Sequence, residues 1–277
     1  MIWARALRRN GRLSVPGLFQ TVVGFITDFL DTLGVGSFAV TTAIYRSRKM
    51  VSDELIPGTL NVGHALPTVV QAFIYIAIIK VEIQTLVLTI LASVLGAWIG
   101  AGFVTRWPKQ QIQRGMGLAL LAAAGLILAR LTGLLPKGGD AIGLSGGYLV
   151  VALFGNFIFG ALMMIGVGAY APIMVMVSLL GMNPETAFPI MMGSCAFLMP
   201  TAGIRIIHAE KYHDRAALGL TLGGIPGVLI AAFIVWKIPL DAVRWLVVAV
   251  VIYTAVSMLL AANREASSSG LPPEVRR

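Results

Sequence analysis

Two acidic residues, Asp28 and Asp31, stand three positions apart inside an apolar stretch, a spacing that puts both carboxylates on one face of a helix. A charged side chain at the centre of a bilayer costs about 2.5–3.5 kcal/mol on insertion scales, so it faces a protein interior or a water-filled cavity and works there. Two stacked carboxylates can share a proton, which makes a proton-coupling site; the blander use is to cap a helix end or bond exposed backbone. Further on, Asn61, His64 and Thr68 recur at helical spacing, followed loosely by Gln71. An imidazole beside a carboxylate pair is suited to relaying protons. The corresponding stretch of the second half, Gly193-Ser194-Cys195 to Pro200-Thr201, has hydroxyls and no histidine, so such coupling is confined to the first half.

The other chemistry-bearing feature is a pair of glycine motifs, Gly34-Val35-Gly36-Ser37-Phe38 and Gly166-Val167-Gly168-Ala169-Tyr170. Glycine permits a sharp non-helical turn and close approach of a ligand to the backbone. A helix restarting after the turn aims unpaired N–H groups and a partial positive charge at whatever lies there, which suits an oxyanion. Ser37, Thr41 and Thr42 add hydroxyls in the first copy, and Tyr170 in the second. Tight helix packing is the alternative use of such glycines, and it is the role expected of Gly96-x-x-x-Gly100 and Gly223-x-x-x-Gly227.

Enzyme signatures are weak. Gly143-Leu144-Ser145-Gly146-Gly147 matches the GxSxG of serine hydrolases, but a nucleophilic serine needs a base within reach. His208 and His213 lie in a polar loop with Glu210 and Asp214, at spacings that fit no metal pattern. HExxH and P-loop patterns are absent. The single cysteine, Cys195, excludes an internal disulfide and reads as a small packed residue. No catalytic residue, metal ion or cofactor is expected.

These residues need elements to hold them, and composition says which. With 57% hydrophobic and 12% charged residues and a mean hydropathy of +0.87, the chain has too little polar surface for a soluble globule. The fold class expected is an all-α polytopic membrane protein with the bilayer as its main partner, since lipid cannot satisfy an exposed backbone. Eight apolar segments can be drawn, at 16–45, 57–79, 85–105, 115–135, 144–180, 186–207, 217–236 and 242–262. The first and fifth are too long for one ordinary crossing.

The glycine motifs match at an offset of 132, as do Asp53 with Glu185 and Pro57 with Pro189, while Gly96 pairs with Gly227 and Pro108 with Pro239 at 131. An internal duplication follows, of the kind found in secondary transporters. One permease domain, 16–262, is expected to hold repeats at about 16–135 and 144–262, between a basic arm (1–15) and a polar tail (263–277). The net charge of +9 sits in short clusters between apolar runs, which reads as topology rather than nucleic-acid binding. If the first and fifth segments dip in and return at their glycines, 16 of the 21 Lys and Arg fall on the side of the N-terminus. If all eight segments cross, only 13 do. Charge bias therefore favours re-entrant turns, inverted repeats, and cytoplasmic N- and C-termini.

Two halves with a glycine turn and an apolar helix, then Gly96-Ala97-Trp98-Ile99-Gly100-Ala101 running into Arg106-x-Pro108 and Arg114, resemble the sulfite exporter TauE/SafE family, also called the toluene-sulfonate uptake permease family. The resemblance covers roughly 16–262. It implies a bacterial inner-membrane permease for sulfite, organosulfonates or related sulfur anions. The turns GVGSF and GVGAY depart from the family's usual GxGGG, and Asp28 and Asp31 stand where small or apolar residues are usual.

The expectation is thus a permease holding a small anion at Gly34, Gly36, Ser37, Thr41, Thr42, Asn61, Gly166, Gly168, Ala169 and Tyr170, with Asp28, Asp31 and His64 coupling protons. Alternatives are a cation or metal carrier using Asp28, Asp31 and His64, an intramembrane hydrolase using Ser145, and a membrane anchor for a soluble partner. Oligomeric state and direction of transport are not legible.

Overall fold

A computed structural model of the chain describes residues 15–134, 138–166 and 168–234, with scattered helical residues between 245 and 263. The basic arm up to residue 14, much of the last expected segment and the tail from 264 lie outside the described residues. Among these the secondary structure is helical, apart from one isolated bridge between Ala141 and Met182. In chain order the helices are α1 (Leu18–Thr32), α2 (Phe38–Ser47), α3 (Ile56–Gly63), α4 (Ala65–Ile78), α5 (Ile83–Val104) and α6 (Lys109–Leu131). They continue with α7 (Gly146–Met163), α8 (Tyr170–Leu179), a 3₁₀ turn at Pro184–Thr186, α9 (Ala187–His208) and α10 (Asp214–Ile234).

Four helical stretches among the described residues are long and apolar enough to cross a membrane, at Ile83–Val104, Gly146–Met163, Pro184–His208 and Asp214–Phe233. The pair α3 and α4, bent by 47°, makes a fifth if read as one span. The bend has a sequence cause. Pro67 has no N–H to offer the Gly63 carbonyl four residues earlier, and the Thr221 hydroxyl of α10 donates to that carbonyl instead, at 2.6 Å. His64 sits at the break.

Both overlong apolar segments are split helical hairpins. After α2 the chain is back where α1 began: the Arg48 guanidinium lies 5.5 Å from the Phe19 ring centroid, and the Tyr45 hydroxyl donates to the Ala216 carbonyl at the start of α10, at 3.3 Å. The second hairpin, α7 and α8, is tied at its root. There Gly139 N–H donates to the Met182 carbonyl at 3.0 Å and Asn183 N–H to the Ala141 carbonyl at 2.9 Å.

The two roots lie at opposite ends of the bundle. At the first end His213 N–H donates to Thr59 Oγ1 at 2.9 Å, joining the start of α3 to the loop before α10. At the other, Glu82 N–H donates to the Ile142 carbonyl at 2.8 Å and Leu144 N–H to Thr85 Oγ1 at 2.9 Å, joining the start of α5 to the start of α7. Between these ends run α3 and α4, about 30 Å of helix at 1.5 Å per residue.

Each hairpin leans on a long helix of the other half, α1 on α10 and α7 on α5. The approach needs glycine at matching places. A Cβ on Gly227 would fall on the Phe25 carbonyl oxygen, and one on Gly96 on the Phe157 carbonyl oxygen. Phe25 and Phe157 are 132 apart, so the offset read from the sequence recurs in the packing. The buried helix α9 runs through the middle against α3, α4, α5 and α8.

Gly96→Val and Gly227→Val are each expected to destabilise the protein by about 1–3 kcal/mol through overpacking against backbone. Gly125→Ala, where an added methyl meets nothing, is the control and should be neutral. Thermal unfolding in detergent reads the difference; unchanged midpoints for both valine variants would contradict the helix contacts described.

Candidate functional site

The first hairpin tip leaves the helix at Thr32, and Gly34 (φ 78°) and Gly36 (φ 95°) supply left-handed backbone that other residues resist. Val35 N–H donates to the Leu30 carbonyl at 3.0 Å and Gly34 N–H to the Asp31 carbonyl at 2.8 Å. The chain then needs a partner for the first N–H of the next helix. Asp31 supplies it, its Oδ1 accepting from Ser37 N–H at 2.7 Å. The second tip turns on Gly166 (φ 89°), and the helix that follows has no side-chain cap. At the offset of 132, the residue matching Asp31 is Met163, a thioether where the first copy has a carboxylate.

The tips meet. Gly36 and Ser37 of the first, Gly168 and Ala169 of the second, with Asp31 and Thr68, line one small cavity, large enough for water. The same cavity is lined by sulfur: Met163 of α7 and Met191, Met192, Cys195 and Met199 of α9, with Cys195 Sγ 3.4 Å from Met163 Sδ. No hydrogen-bond partner of the Thr68 hydroxyl occurs among the described residues, and Thr68 is only 3% exposed.

Behind the first tip lies a fully buried relay. His64 Nδ1 is 2.9 Å from both carboxylate oxygens of Asp28, and its Nε2 is 3.2 Å from Thr41 Oγ1. Gly224 of α10 and Pro67 close around that carboxylate. The Thr41 hydroxyl also lies 2.8 Å from the Ser37 carbonyl and has one proton for two acceptors. If it donates to Ser37, Nε2 must carry a proton, and the Asp28–His64 pair holds two protons and no net charge. If it turns to Nε2, the pair holds one proton and a net negative charge. The distances fit either arrangement.

The two aspartates take separate partners, Asp28 the imidazole and Asp31 the tip. Thr41 serves the relay, and Thr42 Oγ1 is buried with no partner among the described residues. Asn61 is a strut between the halves, Nδ2 donating to the Pro57 carbonyl at 2.9 Å and to the Met163 carbonyl at 3.1 Å. Gly166 packs on Met116 and Pro57 rather than on the cavity; the Tyr170 side chain lies outside the described residues. Gln71 Nε2 donates to Thr32 Oγ1 at 2.9 Å and the Tyr75 hydroxyl to the Thr32 carbonyl, holding the exit from α1. Tyr75 and the methionine wall carry no signal in the sequence, since apolar and aromatic residues at helical spacing read as packing. Ser145 is exposed at the start of α7, at the end of the bundle away from His213.

A chain whose described residues are helical but for one isolated bridge, with two hairpin tips lining one cavity, has the architecture of a multi-pass membrane protein. Residues 148–276 match the family model of the sulfite exporter TauE/SafE, so over those residues the resemblance read from the motifs is borne out. No curated protein and no solved structure matches the chain.

The relay yields a double-mutant prediction. In the cycle of Asp28→Asn, His64→Gln and the double variant, stability losses are expected to be non-additive by about 1–3 kcal/mol. Additive losses in thermal unfolding would show that the two side chains are not coupled.

Proposed function

We propose that the protein is a secondary permease of the inner membrane that carries a small sulfur-containing anion, sulfite or an organosulfonate, through the cavity between its hairpin tips. The observation that carries this reading is the mixed chemistry of the cavity. The glycine turns of both tips and Thr68 line it together with the thioethers of Met163, Met191, Met192 and Met199. Sulfite presents three oxygens and a lone pair, and a sulfonate three oxygens and a carbon, so each has one face that needs no hydrogen bond. Sulfate has oxygens on every side, and those against the methionines would stay unpaired at a cost of about 1–3 kcal/mol each.

The repeats are read as inverted, each with a hairpin that enters the membrane and returns to the side it left. The tied hairpin roots at opposite ends of the bundle support this, as does the lysine and arginine bias. The first root then faces the cytoplasm. Proton coupling draws on the buried acids beside the cavity, Asp31 at its lining and the Asp28–His64 pair behind it. Export is favoured over uptake by the family match alone. Nothing favours a cation carrier over this reading: Asp28 and His64 are engaged with each other and Asp31 with the backbone. Ser145, exposed and far from His64 and His213, gives the hydrolase reading no support.

In proteoliposomes, labelled sulfite is expected to move and to be displaced by an organosulfonate but only weakly by sulfate. Competition by divalent cations and not by sulfur oxyanions would overturn the substrate class. In a Cys195→Ala background, Ser47→Cys and Glu185→Cys are expected to react with an impermeant thiol reagent from opposite sides. Labelling from the same side would refute inversion.

A further inference from the structure

The two tips are not equivalent, and the difference lies in what already occupies them. Asp31 Oδ1 accepts from Ser37 N–H at 2.7 Å, so the first helix start, where an incoming anion would look for donors, is held by a carboxylate of the same chain. At the second tip no such group occurs among the described residues: Met163 stands at the position of the acid, and the helix from Tyr170 starts without a side-chain cap. Asp31 also lines the cavity that both tips share. The Thr68 hydroxyl, buried and without a partner among the described residues, opens onto the same space.

An anion in this cavity therefore meets a helix start with no side-chain cap among the described residues at the second tip, the Thr68 hydroxyl, and the Asp31 carboxylate. Like charges in a buried site repel strongly, and two such groups do not both stay ionised at short range. The titratable groups facing Asp31 are Asp28 on its own helix, His64 at the α3–α4 break and Cys195 on α9. His64 is committed to Asp28. None of them offers Asp31 a dedicated cation, so a proton is the neutralising partner at hand.

We propose that Asp31 is a proton-operated competitor of the transported anion. As a carboxylate it holds the first tip and bars the anion; as the neutral acid it releases Ser37 N–H to the anion and can itself donate to it. The anion then binds mainly at the second tip, and anion and proton occupy the cavity together. The proposal rests on the transport reading above and assigns separate tasks within it: Asp31 links the proton to binding, while the Asp28–His64 pair stands one layer behind.

The test compares wild type, Asp31→Asn and Asp31→Glu in proteoliposomes, measuring the apparent KM for labelled sulfite across about pH 5 to 8. Sulfite takes up a proton in this range, but that titration is common to all three proteins and cancels in their ratio. At the acid end wild type and D31N should match. With rising pH the wild-type KM should climb relative to D31N, by up to about tenfold per pH unit, the limit for one linked proton. D31E should follow the wild type. An inward proton gradient should drive sulfite uphill in wild type, and D31N should exchange sulfite without accumulating it. A KM ratio that does not vary with pH, with gradient-driven uptake kept in D31N, would overturn the proposal while leaving the transport reading in place. Absence of sulfite flux in wild type would overturn both.

A measurement on wild type alone guards against a variant that does not fold. Sulfite should raise the thermal midpoint of the purified protein at the acid end and lose that effect at the alkaline end. Stabilisation that strengthens with pH would contradict the assignment.

Discussion

Inside a bilayer there is no water to receive a backbone N–H or carbonyl, so every departure from the helix must be satisfied by protein. Among the described residues the chain departs from the helix in its interior at two tips and one bend, and the surrounding residues are arranged around those places. Asp31 takes the Ser37 N–H of the first tip, and Thr221 takes the place of the donor that Pro67 lacks. Asn61 holds the Met163 carbonyl as α7 runs into the second tip. The partners for Gly63 and Met163 come from the other half of the chain, which makes the two halves mutually dependent.

That dependence explains the glycines of the long helices. A hairpin can place its tip at mid-depth only if it lies against a continuous helix, and the backbone contacts at Gly96 and Gly227 allow the approach. It also explains why the polar residues concentrate near the first tip. The acid that closes that tip, the histidine at the bend and the threonines between them share one buried, hydrogen-bonded region.

Much of this was legible in the sequence where it depended on repetition. The paired Gly-Val-Gly motifs stood out because they recur at a fixed offset, and the overlong segments around them announced a break. Charge counting favoured the hairpins because lysine and arginine cluster at the ends where the first root lies. What could not be read was tertiary. Asp28 and His64 are 36 residues apart on different helices, and their pairing has no local signature. The sequence put the two aspartates on one face, but their division of labour depends on where Ser37 N–H and the imidazole lie. Methionines in apolar helices read as flexible filler, so the sulfur lining of the cavity became visible only when α7 and α9 were brought together. Asn61 looked like a ligand donor because its partner lies 102 residues away.

The central claim is that the two tips enclose the anion and that the second offers it the free donors. Diffraction from crystals soaked in selenite, the heavier congener of sulfite, tests this most directly through its anomalous signal. The account predicts a peak in the cavity within hydrogen-bond distance of the backbone at Gly168 and Ala169 and of the Thr68 hydroxyl. An ordered selenite bound only outside that cavity, or held at the Asp28–His64 pair, would contradict it.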